Sequence, residues 1–504
     1  MHNTTQADSV TFTPIMPKHL DLQSPLRTFD ALRLKSTPWA RKCMVAALFL
    51  FLIQTGCWIR TFDASARPDL VLITIDSLRA DHLELYGHTR PTAPNLLKLA
   101  RAGVTFKHAV AAAPWTLPSM ASIHTGLPPS RHGATSNQSS IGEQHPAVAS
   151  LLQASGYQTR AVVSHVFVGS SFGFARGFDD FNERHVQDHS GSSSEVLTQV
   201  ALESFNAAGD GPTFLWVHYF DPHYSYERHP EYDFATGRTG RFGDSIDFES
   251  PNGTELLGVS AAAERYMTDV YDEEIAHTDK HVGALIDGVI GAGRDRGVIF
   301  VVTADHGEGF LDHNRFGHGR DLYDELIHVP LIIGGDIPRT MWGLSIGSPV
   351  ETSSIATTLL QFAGVEEHTL RGMDLFDTAL SRSSPSYVSS EGSYARGTDQ
   401  RQVSVERGRW KMIQHLDDGR VELYYRKTDP GEQNNIAGDP KVAHLQADMR
   451  AIMDTRLAEI SSPGTAPETT PNAKTAPAQI SEAEREKLKA LGYLESEGAS
   501  DAVH

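Results

Sequence analysis

A threonine at the start of a predicted helix is the first residue whose position could serve chemistry. Thr116 stands two residues before Pro118, and the run Ser119 to Thr125 predicts a helix that ends at Gly126. Proline is favoured in the first helical turn, where its missing N–H costs nothing. Unpaired N–H groups and the dipole at a helix N-terminus favour an anion. The Thr116 hydroxyl could therefore carry a transferred oxyanion group, or it could simply cap the helix.

Carboxylates and imidazoles follow several predicted strands at the point where each strand ends. Apolar β-branched runs predict buried parallel strands at Leu70 to Ile75, Thr213 to Tyr219 and Gly297 to Thr303. The side chains that follow these strands are Asp76, Asp221, His223, Asp305 and His306. Ligands of open α/β sheets gather at the carboxyl ends of strands, so these groups and Thr116 should meet at one edge.

Such a group of side chains predicts a particular kind of chemistry. Carboxylate oxygens and imidazole nitrogens are the hard donors that a divalent cation needs. The cation would lower the pKa of the Thr116 hydroxyl and neutralise charge on a bound oxyanion. A histidine would then protonate the leaving oxygen.

The elements that position these residues alternate between helices and buried strands. Further helices are predicted at Asn95 to Ala102, Val148 to Ser155, Glu264 to Ile290, Leu322 to His328 and Glu351 to Ala363, and further strands at Arg160 to Val163 and Val329 to Ile333. This alternation predicts an α/β fold, with a mostly parallel central sheet covered by helices on both faces. Short strands after residue 384 and a helix at Ala443 to Ile460 predict a small C-terminal antiparallel sheet with a helix.

The chain divides into four predicted parts. Residues 1–66 are a cytoplasmic leader with a signal or anchor segment, and residues 67–383 are the main domain that carries the candidate site. Residues 384–460 form a C-terminal subdomain. Residues 461–504 are a flexible linker rich in Pro, Thr and Ala, followed by a short helix whose capping box begins at Ser481.

The N-terminal part predicts export. Basic residues precede an apolar run from Cys43 to Ile59, which is as long as a secretory h-region or a short membrane span. The sequence QTGC, ending at Cys57, weakly resembles a lipoprotein cleavage box and makes Cys57 a candidate lipid anchor. A cleaved signal, a lipid anchor and an uncleaved anchor stay open, with an early buried helix as the alternative. We expect a periplasmic or extracellular protein that is anchored to the membrane.

Composition limits the partners and the redox chemistry. The net charge of −19 argues against nucleic acid as a partner. An anionic substrate would need a local positive centre, and a bound metal is the obvious source. The two cysteines, Cys43 and Cys57, lie in the apolar N-terminal run, so the rest of the chain has no thiol-based zinc site.

Five motifs between Arg67 and Asn435 resemble the sulfatase branch of the alkaline phosphatase superfamily. They are DSLRADHLELYG at Asp76 to Gly87, WTLPSMASIHTG at Trp115 to Gly126, HYFDPH at His218 to His223, TADHGEGFLDH at Thr303 to His313 and GHGRDLYDELIHVP at Gly317 to Pro330. The later ELYYRKTDPGEQNNIA at Glu422 to Ala437 resembles the C-terminal subdomain of that family. The order and spacing agree along more than two-thirds of the chain.

This resemblance implies roles for individual residues. Asp76, Asp305 and His306, with Thr116, would hold one divalent metal (Ca or Mg/Mn, with Zn also open), and Thr116 would be the nucleophile. His223 corresponds to the histidine beside the leaving group. His318 lies where many sulfatases carry a lysine that contacts the transferred group, and His165 and Asp221 are further candidates for substrate contact. As an alternative, His318 could join Asp221 and His223 around a second metal.

The sequence also departs from the family pattern. Sulfatases proper carry Cys or Ser in C/S-x-P-S-R, which matures to formylglycine, whereas this chain has Thr116 and places Met120 at the arginine position. Threonine cannot mature in that way, so no formylglycine is expected. The paired Asp-Asp of many sulfatases is Asp76-Ser77 here, which removes one carboxylate.

Together these observations predict an exported, metal-dependent, sulfatase-like hydrolase of anionic sulfate or phosphate/phosphonate esters. The threonine favours phosphoester or phosphonate substrates on mechanistic grounds. Two alternatives are a membrane-proximal transferase that moves a phospho-headgroup through a phospho-Thr116 intermediate, and a catalytically inactive binding protein on a sulfatase fold. Around the site, Arg79 and Asp81 are expected to pair with each other, with a role in shaping the site as the alternative. Glu308 and His313 are expected either to orient His306 or to be only solvated.

Overall fold

The computed structural model describes residues 67–186, 193–235, 245–246, 261–366, 370, 374–380, 387–392, 401–461, 476–490 and 494. All of them belong to the unit formed by residues 64–504. The predictions for the leader, the apolar run, Cys57 and most of the linker lie outside the described residues. Within the described ranges, no helix combines the length and the apolar character that a membrane crossing requires.

The secondary structure follows the apolar patterning of the chain. The strands are β1 (Asp69–Ile75), β2 (Val104–Val110), β3 (Ser139–Ser140), β4 (Gln158–Val163), β5 (Asp180–Asn182), β6 (Thr213–Tyr219), β7 (Tyr226–Glu227), β8 (Ser245–Ile246), β9 (Val298–Ala304), β10 (Gly309–Phe310), β11 (Phe316–Gly317), β12 (His328–Gly335), β13 (Leu344–Ile346), β14 (Val350–Glu351), β15 (Val388–Gly392), β16 (Gln402–Arg407), β17 (Trp410–His415), β18 (Val421–Tyr425) and β19 (Ala476–Pro477). The helices are α1 (Pro94–Arg101), α2 (Thr116–Thr125), α3 (Pro129–His132), α4 (Val148–Ala154), α5 (Ser194–Ala207), α6 (Ala261–Gly291), α7 (Asp324–Ile327), α8 (Ser354–Phe362), α9 (Leu375–Leu380), α10 (Ala443–Ser461) and α11 (Glu482–Ala490).

The central sheet has the strand order β13-β2-β12-β9-β1-β6-β4-β5, with β14 also paired to β2. Strands β9, β1, β6, β4 and β5 run parallel, and β12 runs antiparallel to both of its neighbours. Helices α1, α5 and α6 pack together on one face, and α2, α4 and α8 pack together on the other. The mostly parallel sheet with helices on both faces is therefore confirmed. Every residue of β1, β6 and β9 is buried, as expected for strands covered on both sides.

Two details of the predicted elements differ from the structure. Strand β2 was not predicted, because Lys107 and His108 interrupt its apolar run with outward-facing polar side chains. The helix predicted over Leu322 to His328 is only the single turn α7, because the chain enters β12 at His328 and is already extended at Tyr323.

The C-terminal subdomain is the predicted antiparallel sheet, with strand order β15-β16-β17-β18. Its apolar face packs on α10, and the core that they share contains Val403, Val405, Met412 and Leu423 of the sheet and Met449, Ile452 and Met453 of the helix. Fully buried Lys411 of this sheet lies 2.8 Å from Asp324 Oδ1 of the main domain and 2.9 Å from Glu432 Oε2. A buried cation thus ties the subdomain to the turn that precedes β12.

Replacing Lys411 with methionine should lower the free energy of unfolding by about 3–5 kcal/mol. The substitution keeps the length of the side chain but leaves Asp324 and Glu432 buried without the ammonium group between them. Urea unfolding of the two proteins measures the loss. Lys427→Met, at an exposed position two residues beyond β18, is the matched control and should change stability by less than about 0.5 kcal/mol. Equal stability of wild type and Lys411→Met would contradict this interpretation.

Candidate functional site

The ends of β1, β6 and β9 lie side by side because the three strands pair in parallel register. Ile75 is opposite Tyr219 on one side and Ala304 on the other, which places Asp76 next to Asp305. The Ser77 N–H donates to Asp305 Oδ1 over 3.2 Å, with Ser77 at a φ of 55°. A positive φ is uncommon for a residue other than glycine and is typical of functional sites. The backbone itself therefore holds the two carboxylates together.

Four buried side chains at this edge point their ligand atoms at one another. Atoms of Asp76, His218 and Asp305 all lie within 4.8 Å of each other. His306 Nε2 lies 3.6 Å from Asp76 Oδ1 and 3.4 Å from Asp305 Oδ2. Among the described residues, Asp76 Oδ2, Asp305 Oδ2 and His218 Nε2 are buried without a hydrogen-bond partner. Such atoms are rare unless a ligand satisfies them, and this set of oxygen and nitrogen donors fits a divalent cation.

The electrostatics of the four groups also favour a cation. Burial raises the pKa of Asp76 to about 8. Burial, and then the charge of Asp76, raise the pKa of Asp305 well above its ordinary value. Burial lowers the pKa of His306, so its imidazole is neutral. Without a cation, the site resists the ionisation of its own carboxylates.

In metal-free protein, the free energy of unfolding should fall as the pH rises from about 5 to about 8. The unfolded Asp76 ionises near 3.8, whereas the folded one keeps its proton until about 8. Between these values the folded state binds more protons than the unfolded state, so deprotonation favours unfolding. Thermal melting of chelator-treated protein across this range measures the slope. Asp76→Asn should flatten it, and an identical slope in both proteins would contradict the assignment.

Thr116 is the first residue of α2 and is fully buried against this group. Its Oγ1 lies 3.3 Å from His306 Nε2. The Nδ1 atom of His306 donates to the Gly307 carbonyl over 2.8 Å, so Nε2 is the nitrogen that faces Thr116. Ser119 Oγ donates to the Asp305 carbonyl over 2.6 Å and fixes the first turn of α2 on the end of β9. The predicted nucleophile therefore lies beside the predicted metal ligands.

Three further histidines surround this centre. The ring of His318 lies 4.3 Å from that of His306 and 5.1 Å from that of His223. The ring of His165 lies 5.5 Å from that of His223. Burial alone would lower the pKa of His318, but Glu308, 3.1 Å from its Nδ1, raises it above the ordinary value. A protonated His318 would supply positive charge beside His306 and His223.

The carboxylate of Asp221 has a different setting. It accepts hydrogen bonds from the backbone N–H groups of Ser193, over 3.0 Å, and of Ser194, over 2.9 Å. The Ser194 hydroxyl also donates to it over 2.5 Å. Asp221 thus caps the N-terminus of α5, where a negative charge is stabilised. Its predicted substrate contact stays a prediction.

His218 is the site residue that was missed in the sequence. It lies within the apolar run TFLWVHY of β6, where a single histidine is easily taken as part of the core. Its Nδ1 lies 2.9 Å from Thr74 Oγ1, which orients the ring, and its Nε2 lies 3.4 Å from Asp76 Oδ2. The signal that could have found it is its register opposite Thr74, two residues before Asp76.

Of the residues expected to support the site, Arg79 has the predicted partner and Glu308 has a different one. Arg79 pairs with Asp81 as expected, over 2.8 Å, and also with Asp312 over 2.9 Å. The expectation that Glu308 and His313 orient His306 or are only solvated is wrong in its partners, since buried Glu308 hydrogen-bonds to His318 and His313 Nδ1 lies 2.6 Å from Glu325 Oε1. The error arises because Glu308 follows a turn whose direction the sequence does not reveal.

Comparison with known proteins identifies similar chains. The family profile described as Sulfatase matches residues 68–365. A second profile, described as N-sulphoglucosamine sulphohydrolase, C-terminal, matches residues 312–459. Delta 4,5-hexuronate-2-O-sulfatase of Bacteroides thetaiotaomicron is 26% identical over 434 residues, which cover 78% of this chain and 89% of that protein. Choline-sulfatase of Rhizobium meliloti is 23% identical, with coverage of 78% and 87%.

Solved structures share the fold over most of their length. The phosphonate monoester hydrolase of Agrobacterium radiobacter superposes with a TM-score of 0.63 at 18% identity, covering 78% of this chain and 96% of that one. A 2-O GAG sulfatase superposes with a TM-score of 0.63 at 23% identity, covering 79% and 93%. The common architecture thus extends over the main domain and the C-terminal sheet.

Proposed function

The chain belongs to the sulfatase family and is an ester hydrolase, and on this premise we propose that it is a metal-dependent hydrolase with Thr116 as its nucleophile. Family membership supports sulfate esters as the substrate class. The threonine, in place of a residue that can mature to formylglycine, supports phosphate and phosphonate esters as the second class. Both classes present a tetrahedral anionic group joined to a leaving oxygen.

One observation carries this proposal: a hydroxyl at a helix N-terminus lies among buried metal-type ligands at the end of the central sheet. Thr116 Oγ1 is 3.3 Å from His306 Nε2, and that nitrogen is within 3.6 Å of the carboxylates of both Asp76 and Asp305. The dipole of α2 favours an anion at the same place. An inactive protein would gain nothing from burying these groups with unsatisfied ligand atoms.

The metal would be held by Asp76, Asp305 and His306, with His218 as an added ligand candidate. A bound divalent cation supplies neutralisation of the transferred group and a lower pKa for the Thr116 hydroxyl. The donor set of two carboxylates and imidazoles is compatible with Ca²⁺, Mg²⁺, Mn²⁺ and Zn²⁺. Elemental analysis of purified protein identifies which of them is present.

The side chains of the protein perform the remaining steps. The Thr116 hydroxyl gives its proton to solvent while its oxygen forms a bond to the sulfur or phosphorus of the substrate and the bond to the ester oxygen breaks. Water then attacks the same sulfur or phosphorus, the bond to the Thr116 oxygen breaks, and the free sulfate, phosphate or phosphonate leaves as Thr116 takes back a proton. His223 Nδ1 donates to the Tyr224 carbonyl over 2.6 Å, which fixes the ring, so that in the protonated imidazolium Nε2 is the nitrogen that gives its proton to the leaving oxygen. Protonated His318, held by Glu308, stabilises the negative oxygens of the transferred group.

Replacing His223 with glutamine should affect poor leaving groups most. We expect kcat/KM to fall about 100-fold for an alkyl ester, because its alkoxide needs a proton as it leaves. The loss should be far smaller for the p-nitrophenyl ester, whose leaving group is stable as an anion. Steady-state kinetics on the two esters measures the difference, and each substrate serves as the control for the other. Equal losses for both esters would contradict the role of His223 as the acid.

The substrate class is tested by a panel of esters with and without added divalent cation. We expect metal-dependent turnover of p-nitrophenyl sulfate, or of the corresponding phosphate, phosphonate or phosphodiester. Release of the transferred group to an added alcohol, rather than to water, would instead support the transferase. No turnover of any ester, together with no bound metal, would support the inactive binding protein.

We also propose that the protein is exported and anchored through residues 43–59. The length of the apolar run and the basic residues before it support this. Cell fractionation of wild type and Cys57→Ser tests it. Release of the variant from the membrane fraction would support the lipid anchor, whereas a cytoplasmic location of the wild type would contradict export.

A further inference from the structure

A second cluster of histidines lies away from the ends of β1 and β9. It is formed by His277 and His281 of α6 and by His229 in the segment that follows β7. Two carboxylates, Glu231 and Glu274, complete it. His277 and His281 are four residues apart and therefore lie on one face of the helix, with Glu274 one turn before them.

The rings of this cluster are packed closely. His229 and His277 stack with centroids 4.0 Å apart and planes inclined by 13°, and His277 and His281 have centroids 4.6 Å apart. Ligand atoms of His229, Glu231 and His277 all lie within 4.8 Å of one another. His229 Nε2 lies 3.3 Å from Glu274 Oε2. The cluster therefore brings three imidazoles and two carboxylates to one place.

One imidazole nitrogen of each ring in this cluster is buried and, among the described residues, lacks a hydrogen bond. His229 and His281 are each 8% exposed. Within the described ranges, His277 Nδ1, His281 Nε2 and His229 Nε2 have no hydrogen-bond partner. Buried nitrogens in this state are normally satisfied by a donor or a metal.

Two other groups of histidines and carboxylates differ from this cluster because a lysine or arginine is paired with their carboxylates. In the group of His82, His88 and Asp272, Arg90 lies 2.7 Å from the carboxylate. In the group of His108, Asp324 and His328, Asp324 is paired with Lys411 and Arg426. Positive side chains already neutralise the carboxylates of both groups. At the cluster around His277, by contrast, the carboxylate of Glu274 lies 3.3 Å from a histidine, His229.

We propose that His229, His277 and His281, with Glu231 or Glu274, form a second metal site that binds a first-row transition dication such as Zn²⁺. Imidazoles with one carboxylate are the ligands that zinc prefers, and two histidines four residues apart on a helix are a common way to hold it. His229 lies six residues after His223. The bound ion would therefore fasten the segment that carries the proposed acid onto α6.

Zinc content tests this proposal without any measurement of turnover. Untagged full-length protein is treated with chelator, dialysed against Zn²⁺ in the presence of excess Ca²⁺ and Mg²⁺, and analysed for metal. Wild type should hold about one equivalent of zinc more than the double variant His277→Gln/His281→Gln. The control His82→Gln/His88→Gln, in a cluster already neutralised by Arg90, should keep that equivalent.

Metal bound at the catalytic centre must be distinguished from metal bound at this second site. Asp76→Asn/Asp305→Asn should retain the equivalent that His277→Gln/His281→Gln loses. Co²⁺ provides a second readout in wild type, since tetrahedral coordination by imidazole and carboxylate gives intense visible absorption. The same zinc content in wild type and in His277→Gln/His281→Gln would overturn the proposal. If that variant does not fold, a Co²⁺ spectrum of the wild type that lacks the intense tetrahedral bands would overturn the proposal.

Discussion

Turnover of the preferred ester should fall by about a thousandfold or more when Thr116 is replaced with valine. Valine has the shape of threonine but lacks the hydroxyl that would form the bond to sulfur or phosphorus. Thr116 is fully buried, and valine fills the same space. Because the described side-chain hydrogen bond of Thr116 is the one with His306, the free energy of unfolding should fall by only about 1 kcal/mol. Steady-state kinetics and thermal melting of the same samples measure the two effects separately.

Two further variants make this prediction specific. Thr116→Ser keeps a hydroxyl and should retain far more activity than Thr116→Val. Thr125→Val alters the last residue of the same helix, where the hydroxyl donates to the Ala121 carbonyl, and should leave kcat nearly unchanged. If Thr116→Val and Thr125→Val had the same activity, Thr116 would not be the nucleophile.

Added divalent cation should stabilise the wild type more than Asp76→Asn/Asp305→Asn, which lacks the carboxylates of the catalytic site. At a cation concentration about 100 times Kd, the gain in the free energy of unfolding is about 2.7 kcal/mol. Burial holds the pKa of both carboxyls above the ordinary value, so a cation that satisfies their unpaired oxygens removes a large cost. The double variant should also lose turnover by at least about a hundredfold.

In the absence of metal, we expect the same double variant to be more stable than the wild type. Amides do not ionise, so metal-free Asp76→Asn/Asp305→Asn should be more stable than metal-free wild type near pH 8. Melting curves with chelator and with added cation give both comparisons. Asp336→Asn is a control at a carboxylate that only accepts hydrogen bonds near the start of β9, and it should keep the response to cation. A cation response of the double variant equal to that of the wild type would contradict the metal assignment.

The sequence was most informative where one physical effect dominates. The apolar runs of β1, β6 and β9 predicted buried parallel strands, and their bounds agree with the structure to within about one or two residues. Adjacent parallel strands then bring Asp76 and Asp305 together without further information. Pro118 and Gly126 predicted the helix after Thr116, although α2 begins at Thr116 rather than at Ser119.

Contacts between distant segments were not predictable in this way. Helix α5 was not predicted, so the role of Asp221 as its cap could not be inferred. His218 depends on the register between β6 and β1, and the pairing of Glu308 with His318 depends on the path of two turns. The histidine cluster around His277 forms where α6 contacts the segment that carries His229. The apolar periodicity of the sequence does not predict which segment packs against a helix.

The Thr116 oxygen should receive the transferred group during turnover, and acid-quenched mass spectrometry detects that covalent ester. Protein mixed with excess ester is quenched during the first turnovers, digested, and searched for sulfate or phosphate adducts. We expect the adduct on the peptide that spans Trp115–Gly126, located on Thr116 and absent from Thr116→Val. An adduct located on any other residue would contradict the account.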